Sequence, residues 1–145
     1  MIDADVFFAA PFRLPSPSDL GQSVVVLDIG FCATQGDRSY ESITKPFIDG
    51  LGDRLKLWVD HHYHDRHCDF IDDPRFILVS RTRYPGCPEL VTKARVVQAG
   101  FVDTIVCHSD FDGIASAAKF LLGGVEPYPG CDADARSIDS RIGTA

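Results

Sequence analysis

Three short apolar runs in this sequence end in acids or histidines. Val24–Leu27 runs into Asp28-Ile29-Gly30, and Leu57–Val59 into Asp60-His61-His62. Thr104–Cys107 runs into His108-Ser109-Asp110-Phe111-Asp112-Gly113. Carboxylates and imidazoles without spaced thiolates suit Mn²⁺, Mg²⁺, Fe²⁺ or Co²⁺ better than a structural zinc. Taken singly, each residue has a plainer account. An Asp after a strand commonly caps or turns the chain, which covers Asp28 and Asp110. Asp60 can orient a histidine, and His61, His62 and His108 can sit on the surface. Taken jointly, so many ionisable groups at three strand ends repel and desolvate one another unless cations lie among them. Two ions about 3.5–4 Å apart form the usual clamp for phosphoester hydrolysis. Gly113 permits a tight strand-to-helix turn there, with backbone N–H groups suited to a phosphate. Ser116, one helical turn further on, either caps that helix or faces the site.

The elements that must position these groups are legible in outline. Strands are expected at 6–9, 24–27, 55–59, 76–79 and 102–107, as continuous apolar runs of the kind buried on both faces of a parallel sheet. Helices are expected at 39–47, ending near Pro46, at 88–99, stopped by Gly100, at 112–122, closed by Gly123-Gly124, and at 132–142. Pro11–Pro17 and Pro127–Pro129 mark loops. Cys87 and Cys131 each close a Tyr-Pro-Gly-Cys tetrapeptide, read as two turns of similar chemistry. The alternation predicts an α/β fold: an open, mostly parallel sheet with helices on both faces, three layers, one domain over 1–145. Sites in such sheets form beyond the carboxyl ends of the strands.

Composition narrows the chemistry. With 21 acids against 14 bases the chain carries net charge −7, which excludes wrapping long nucleic acid through bulk electrostatics. It leaves room for a local phosphate site where metal ions neutralise carboxylates. No apolar run reaches the roughly 18 residues of a membrane helix, and the acidic start Met1-Ile2-Asp3-Ala4-Asp5 does not read as a signal peptide. Five cysteines without paired spacing suggest reduced thiols in a cytoplasmic protein.

Together these motifs resemble the DHH phosphoesterase superfamily: the triplet Asp60-His61-His62, the His-x-Asp-x-Asp-Gly stretch His108–Gly113 with the small-residue helix after it, and the strand Val25–Leu27 ending in Asp28. The resemblance implies cleavage of phosphoesters or phosphoanhydrides by two metal ions, typically Mn²⁺, with Mg²⁺ or Co²⁺ as alternatives. Carried over by position, His108, Asp110 and Asp28 would hold one ion, and Asp112, the shared Asp28 and His61 the other. His62 would contact the phosphate or protonate the leaving group, with Asp60 supporting the histidines.

Two departures accompany the resemblance. The family's usual order places His-x-Asp-x-Asp first, so this chain reads as circularly permuted. The family's second domain, which closes over substrate, has no counterpart in 145 residues, so a small substrate, or a homodimer interface with loops, is expected instead. A further acidic ligand is usual; Asp65, Asp132, Asp134 and Asp139 compete for it, each with a surface or capping account.

The expected substrate is a small nucleotide, a dinucleotide or a short oligonucleotide. Inorganic pyrophosphate, a non-catalytic nucleotide- or metal-binding regulatory module, and a plain α/β domain whose polar strand ends never meet are the alternatives. Arg81 and Arg83 either grip a substrate phosphate or pair on the surface; Lys119 and Arg136 are weaker candidates. Tyr84 and Tyr128 either stack on a base or pack in their turns. His64, Asp65, His67 and Cys68 read as a loop flanking the site, with a zinc site the less favoured account, and Trp58 as core.

Overall fold

The computed structural model describes residues 1–33 and 39–140, without the side chains of 139 and 140. Five strands form: β1 (Asp5–Ala9), β2 (Val24–Leu27), β3 (Leu55–Asp60), β4 (Phe76–Leu78) and β5 (Thr104–His108). They lie in the order β1-β5-β2-β3-β4, and every neighbouring pair is parallel. All four residues of β2 are buried, as a strand covered on both faces requires.

Alternate side chains feed two cores. Val24 and Val26 join Trp58, Val106 and Phe31 on one face, while Val25 and Leu27 join Leu57, Val59, Ile105 and Cys107 on the other. Helix α1 (Lys45–Leu51) covers the first face through Phe47, Ile48 and Leu51. Helices α2 (Lys93–Ala99) and α3 (Phe111–Leu121) cover the second through Val96, Ala99, Ala117 and Phe120. Helix α4 (Cys131–Ser140) packs on α3 and on the turn Cys87–Leu90. The sheet is therefore parallel with helices on both faces. Among the described residues no helix is long and apolar enough to cross a membrane, and all five cysteines are free thiols.

Helix limits depart from the sequence expectation in two places. The stretch expected as a helix ending near Pro46 is helical but does not stop there: a π turn over Tyr40–Thr44 continues into α1, which carries Pro46 in its first turn and runs on to Leu51. The stretch expected as one helix from Pro88 to Ala99 is broken. Cys87–Leu90 is a 3₁₀ turn, and Thr92 then caps α2 by accepting the Arg95 N–H. The last helix is described only to Ser140, so Arg141 and Ile142 lie outside the described residues.

From β2 the chain steps to β3 and β4 in one direction, and β5 then returns to the far side of β2. The reversal falls between β5 and β2, where an open parallel sheet leaves a crevice at its carboxyl edge. Asp28 and His108 flank that gap, and Asp60 ends the next strand. Entry from β5 into α3 is tight: a Cβ on Gly113 would stand 2.6 Å from the His108 carbonyl carbon and 2.9 Å from its Cα. Glycine is required there by close approach of backbone, not by dihedral angle. Gly113→Ala is therefore expected to destabilise the protein by about 1–3 kcal/mol in urea unfolding; an unchanged midpoint would contradict this packing.

Candidate metal centre

Asp28 follows β2 directly. Its N–H donates to the Val59 carbonyl (2.8 Å), extending the ladder toward β3. Its φ of +60° is the one left-handed conformation of a non-glycine residue among the described residues. That conformation costs on the order of 1 kcal/mol, least for Asp and Asn. The side chain is 1% exposed and both its oxygens are buried without a hydrogen bond. Capping, the plain account of this residue, is not what it does.

His61 meets it from β3. Its Nδ1 donates to the Tyr84 carbonyl (2.7 Å), which turns Nε2 toward Asp112 Oδ2 at 3.0 Å and Asp28 Oδ1 at 3.2 Å. Asp112 stands in the first turn of α3, buried, with both oxygens accepting the Cys87 N–H at 3.2 and 3.1 Å. Asp60 is fully buried and grips His62 twice, accepting its backbone N–H (3.0 Å) and its Nδ1–H (2.7 Å). On the other side of Asp28, His108 Nδ1 lies 3.1 Å from Asp110 Oδ2. Asp110 also caps α3 by accepting the Gly113 N–H (2.9 Å), so the capping account of this residue holds alongside its place beside His108.

Two sets of donors result: Asp28 with His61 and His62, and Asp28 with His108 and Asp110, the atoms of each set within 4.8 Å of one another. Asp28 belongs to both. Lone pairs converging in a buried place call for a positive charge between them. Without a metal, protons supply it. Burial raises Asp28 to about 7, with repulsion from Asp112 and Asp110 adding and His61 opposing. Burial opposes charge on His61, but the adjacent Asp112 and Asp28 carboxylates and the hydrogen bond to the Tyr84 carbonyl outweigh it and raise the group to about 10. Burial beside three carboxylates holds the Cys87 thiol well above its ordinary range, so it stays protonated.

A cavity of about 400 Å³ opens over Asp28, His62, His108 and Asp110, walled by Phe12, Phe31 and Tyr63 among others. The remaining residues singled out in the sequence fall elsewhere. Ser116 is fully buried, and the Gly113 N–H is already taken by Asp110. Neither is therefore presented to a substrate in this structure. Arg81 and Arg83 follow β4 and line no part of the cavity; Arg83 lies over the Tyr84 ring. Lys119 is buried against Asp132 (2.6 Å) and the Pro88 carbonyl (2.9 Å), and Arg136 lies 3.5 Å from Glu89. The competing acids are committed too: Asp65 accepts from Tyr63, Asp132 from Lys119 and Asp134 from Tyr128. The side chain of Asp139 lies outside the described residues.

The loop Tyr84–Cys87 is what the sequence reading missed. It holds His61 through the Tyr84 carbonyl and Asp112 through the Cys87 N–H. Behind it, a Cβ on Gly86 would stand 3.0 Å from the Arg136 nitrogen, so α4 braces the loop. The repeated Tyr-Pro-Gly-Cys was its signal. Backbone partners of this kind fix ligand orientation and tautomer in metal sites.

Comparison with protein-family models, curated proteins and solved structures gives no match. The chemistry of the site follows from its own donors: the buried Asp28 and His61 with the partly exposed His62 and His108 and the exposed Asp110, which can hold divalent ions and open on a cavity.

A divalent ion must displace protons from His61 and, near neutral pH, from Asp28, so affinity rises with pH. Mn²⁺ binding followed from pH 8 to pH 6 should weaken about tenfold per unit for each proton displaced, with proton release visible in buffers of different ionisation enthalpy. A pH-independent affinity would contradict this arrangement.

Proposed function

We propose that the chain, as one domain over 1–145, is a DHH-like phosphoesterase with its motifs in permuted order. It hydrolyses a small nucleotide, dinucleotide or short oligonucleotide with two divalent ions, Mn²⁺ first among them, in the cytoplasm. The observation that carries this reading is the buried carboxylate of Asp28, unsatisfied at both oxygens and shared by two ligand sets. Asp28, His108 and Asp110 would hold one ion; Asp28 and His61 would hold the other with Asp112, 3.0 Å from His61 Nε2, leaving His62, whose Nδ1 is given to Asp60, for the substrate. Ions held there supply an activated water at neutral pH and neutralise charge on the phosphoryl oxygens.

The chain's own groups do the rest. Asp60 fixes the Nδ1–H tautomer of His62 and favours its cation, and His62, on the cavity wall, is raised despite its burial because Asp60 hydrogen-bonds it. That makes it the group to give a proton to the leaving oxygen. The Tyr84–Cys87 loop keeps His61 and Asp112 aimed at Asp28. Inorganic pyrophosphate fits less well, because among the described residues no lysine or arginine lines the cavity. A binding module without turnover is the second reading, favoured by one observation: Asp65, Asp132 and Asp134 are all engaged away from the ligand sets.

Hydrolysis of the dinucleotide pApA separates the two. The Mn²⁺-loaded protein should cleave it, chelation should abolish cleavage, and His62→Ala should retain Mn²⁺ while losing about 10²–10⁴-fold in turnover. No cleavage by the metal-loaded protein would favour the binding module, and an unchanged rate in His62→Ala would remove that residue from the mechanism.

A further inference from the structure

The cavity over the ligand sets has one corner that no motif accounts for. Just past β1, Arg13 N–H donates to the Ala10 carbonyl (2.9 Å) and Ala10 N–H to the Arg13 carbonyl (3.3 Å), closing a turn around Pro11 and Phe12. Phe12 is 62% exposed, although it stands on the wall of the cavity. Tyr63, 75% exposed, stands on the same cavity and is tethered by its hydroxyl to Asp65 (3.0 Å). Two large aromatic rings left in water beside a buried, unsatisfied carboxylate are poorly explained by folding alone, since burying a ring is favourable.

Arg13 adds charge to this corner. It lines two further concavities, of about 250 and 460 Å³, and Phe12 lines both of these as well as the cavity over the carboxylates. The smaller of the two also includes Ser109, between His108 and Asp110. Among the described residues the Arg13 guanidinium has no hydrogen-bond or ion-pair partner. Arg54 and Lys45, by contrast, are engaged: Arg54 spans the carbonyls of Pro17, Leu20 and Gly21, and Lys45 pairs with Asp49.

We infer that the Phe12–Arg13 turn is a subsite for the non-reacting half of the substrate. A nucleobase lies against Phe12 and Tyr63, and a second phosphate is met by Arg13. The ligand class is a nucleotide bearing two separated phosphates, one over Asp28 and one at the turn. The subsite grips substrate from within this chain, using a loop next to the edge strand. The inference rests on the phosphoesterase reading only in taking the Asp28 ligand sets as the anchor of the first phosphate.

Binding without turnover tests it. Ribose 5-phosphate, adenosine 5′-monophosphate and adenosine 3′,5′-bisphosphate are titrated calorimetrically into the Mn²⁺-loaded protein. Adenosine monophosphate should bind about tenfold more tightly than ribose phosphate, as base stacking on an aromatic ring allows, and the bisphosphate more tightly again. Phe12→Leu should remove the first increment and Phe12→Trp should keep it, whereas Arg13→Gln should remove only the second. Equal affinities for the three probes, no binding of any of them, or variants that behave as wild type would overturn the subsite. Hydrolysis is read separately. The expected binding pattern without turnover refutes the phosphoesterase and leaves the subsite standing, whereas turnover without the pattern does the reverse.

Discussion

A buried carboxylate with no hydrogen bond is among the costliest groups a protein interior can hold. Asp28 is such a group, and much of the surrounding structure is arranged about it. It sits in a left-handed backbone conformation at the end of the central strand, with imidazoles and carboxylates from β3, β5 and α3 turned toward it. The nearest positive partner is the His61 ring, whose Nε2 lies 3.2 Å from Asp28 Oδ1. His61 donates through Nδ1 to the Tyr84 carbonyl and His62 through Nδ1 to Asp60, and these bonds fix the orientation of both rings. A divalent cation is the species that such a donor set leaves room for.

The sheet makes this arrangement achievable. A wholly parallel sheet brings every strand's carboxyl end to one edge, and the reversal of strand order opens a gap between β5 and β2 at that edge. Around the gap, rigidity comes from backbone contacts. Gly113 lets α3 start directly against His108, Asp110 caps that start, and α4 braces the loop that holds His61 and Asp112. Ligand geometry therefore depends on two glycines and a cap as much as on the ligands themselves.

Most of the sheet was legible in the sequence, because doubly buried strands read as unbroken apolar runs and nothing else in the chain does. The strand ends were legible for the same reason: a polar cluster after such a run has few places to go but the sheet edge. The helix limits at Pro46 and Thr92 were less so. A π turn and a side-chain cap decide them, and neither leaves a periodic pattern. Ser116 read as a capping or site residue because a small polar side chain on a helix carries no sign of which face it takes. Arg81 and Arg83 drew attention as the basic pair nearest a strand end, yet β4 lies two strands away from the gap. The loop at Tyr84–Cys87 works through a carbonyl and an amide, groups that every residue carries, so only the fold reveals it.

The central claim is that one carboxylate serves two cations, and stoichiometry tests it most directly. Chelated protein titrated with Mn²⁺ by calorimetry should take up two ions per chain, and Asp28→Asn, folded by circular dichroism, should take up none with comparable affinity. One ion or none in the wild type, or two still bound by Asp28→Asn, would contradict a shared ligand at this position.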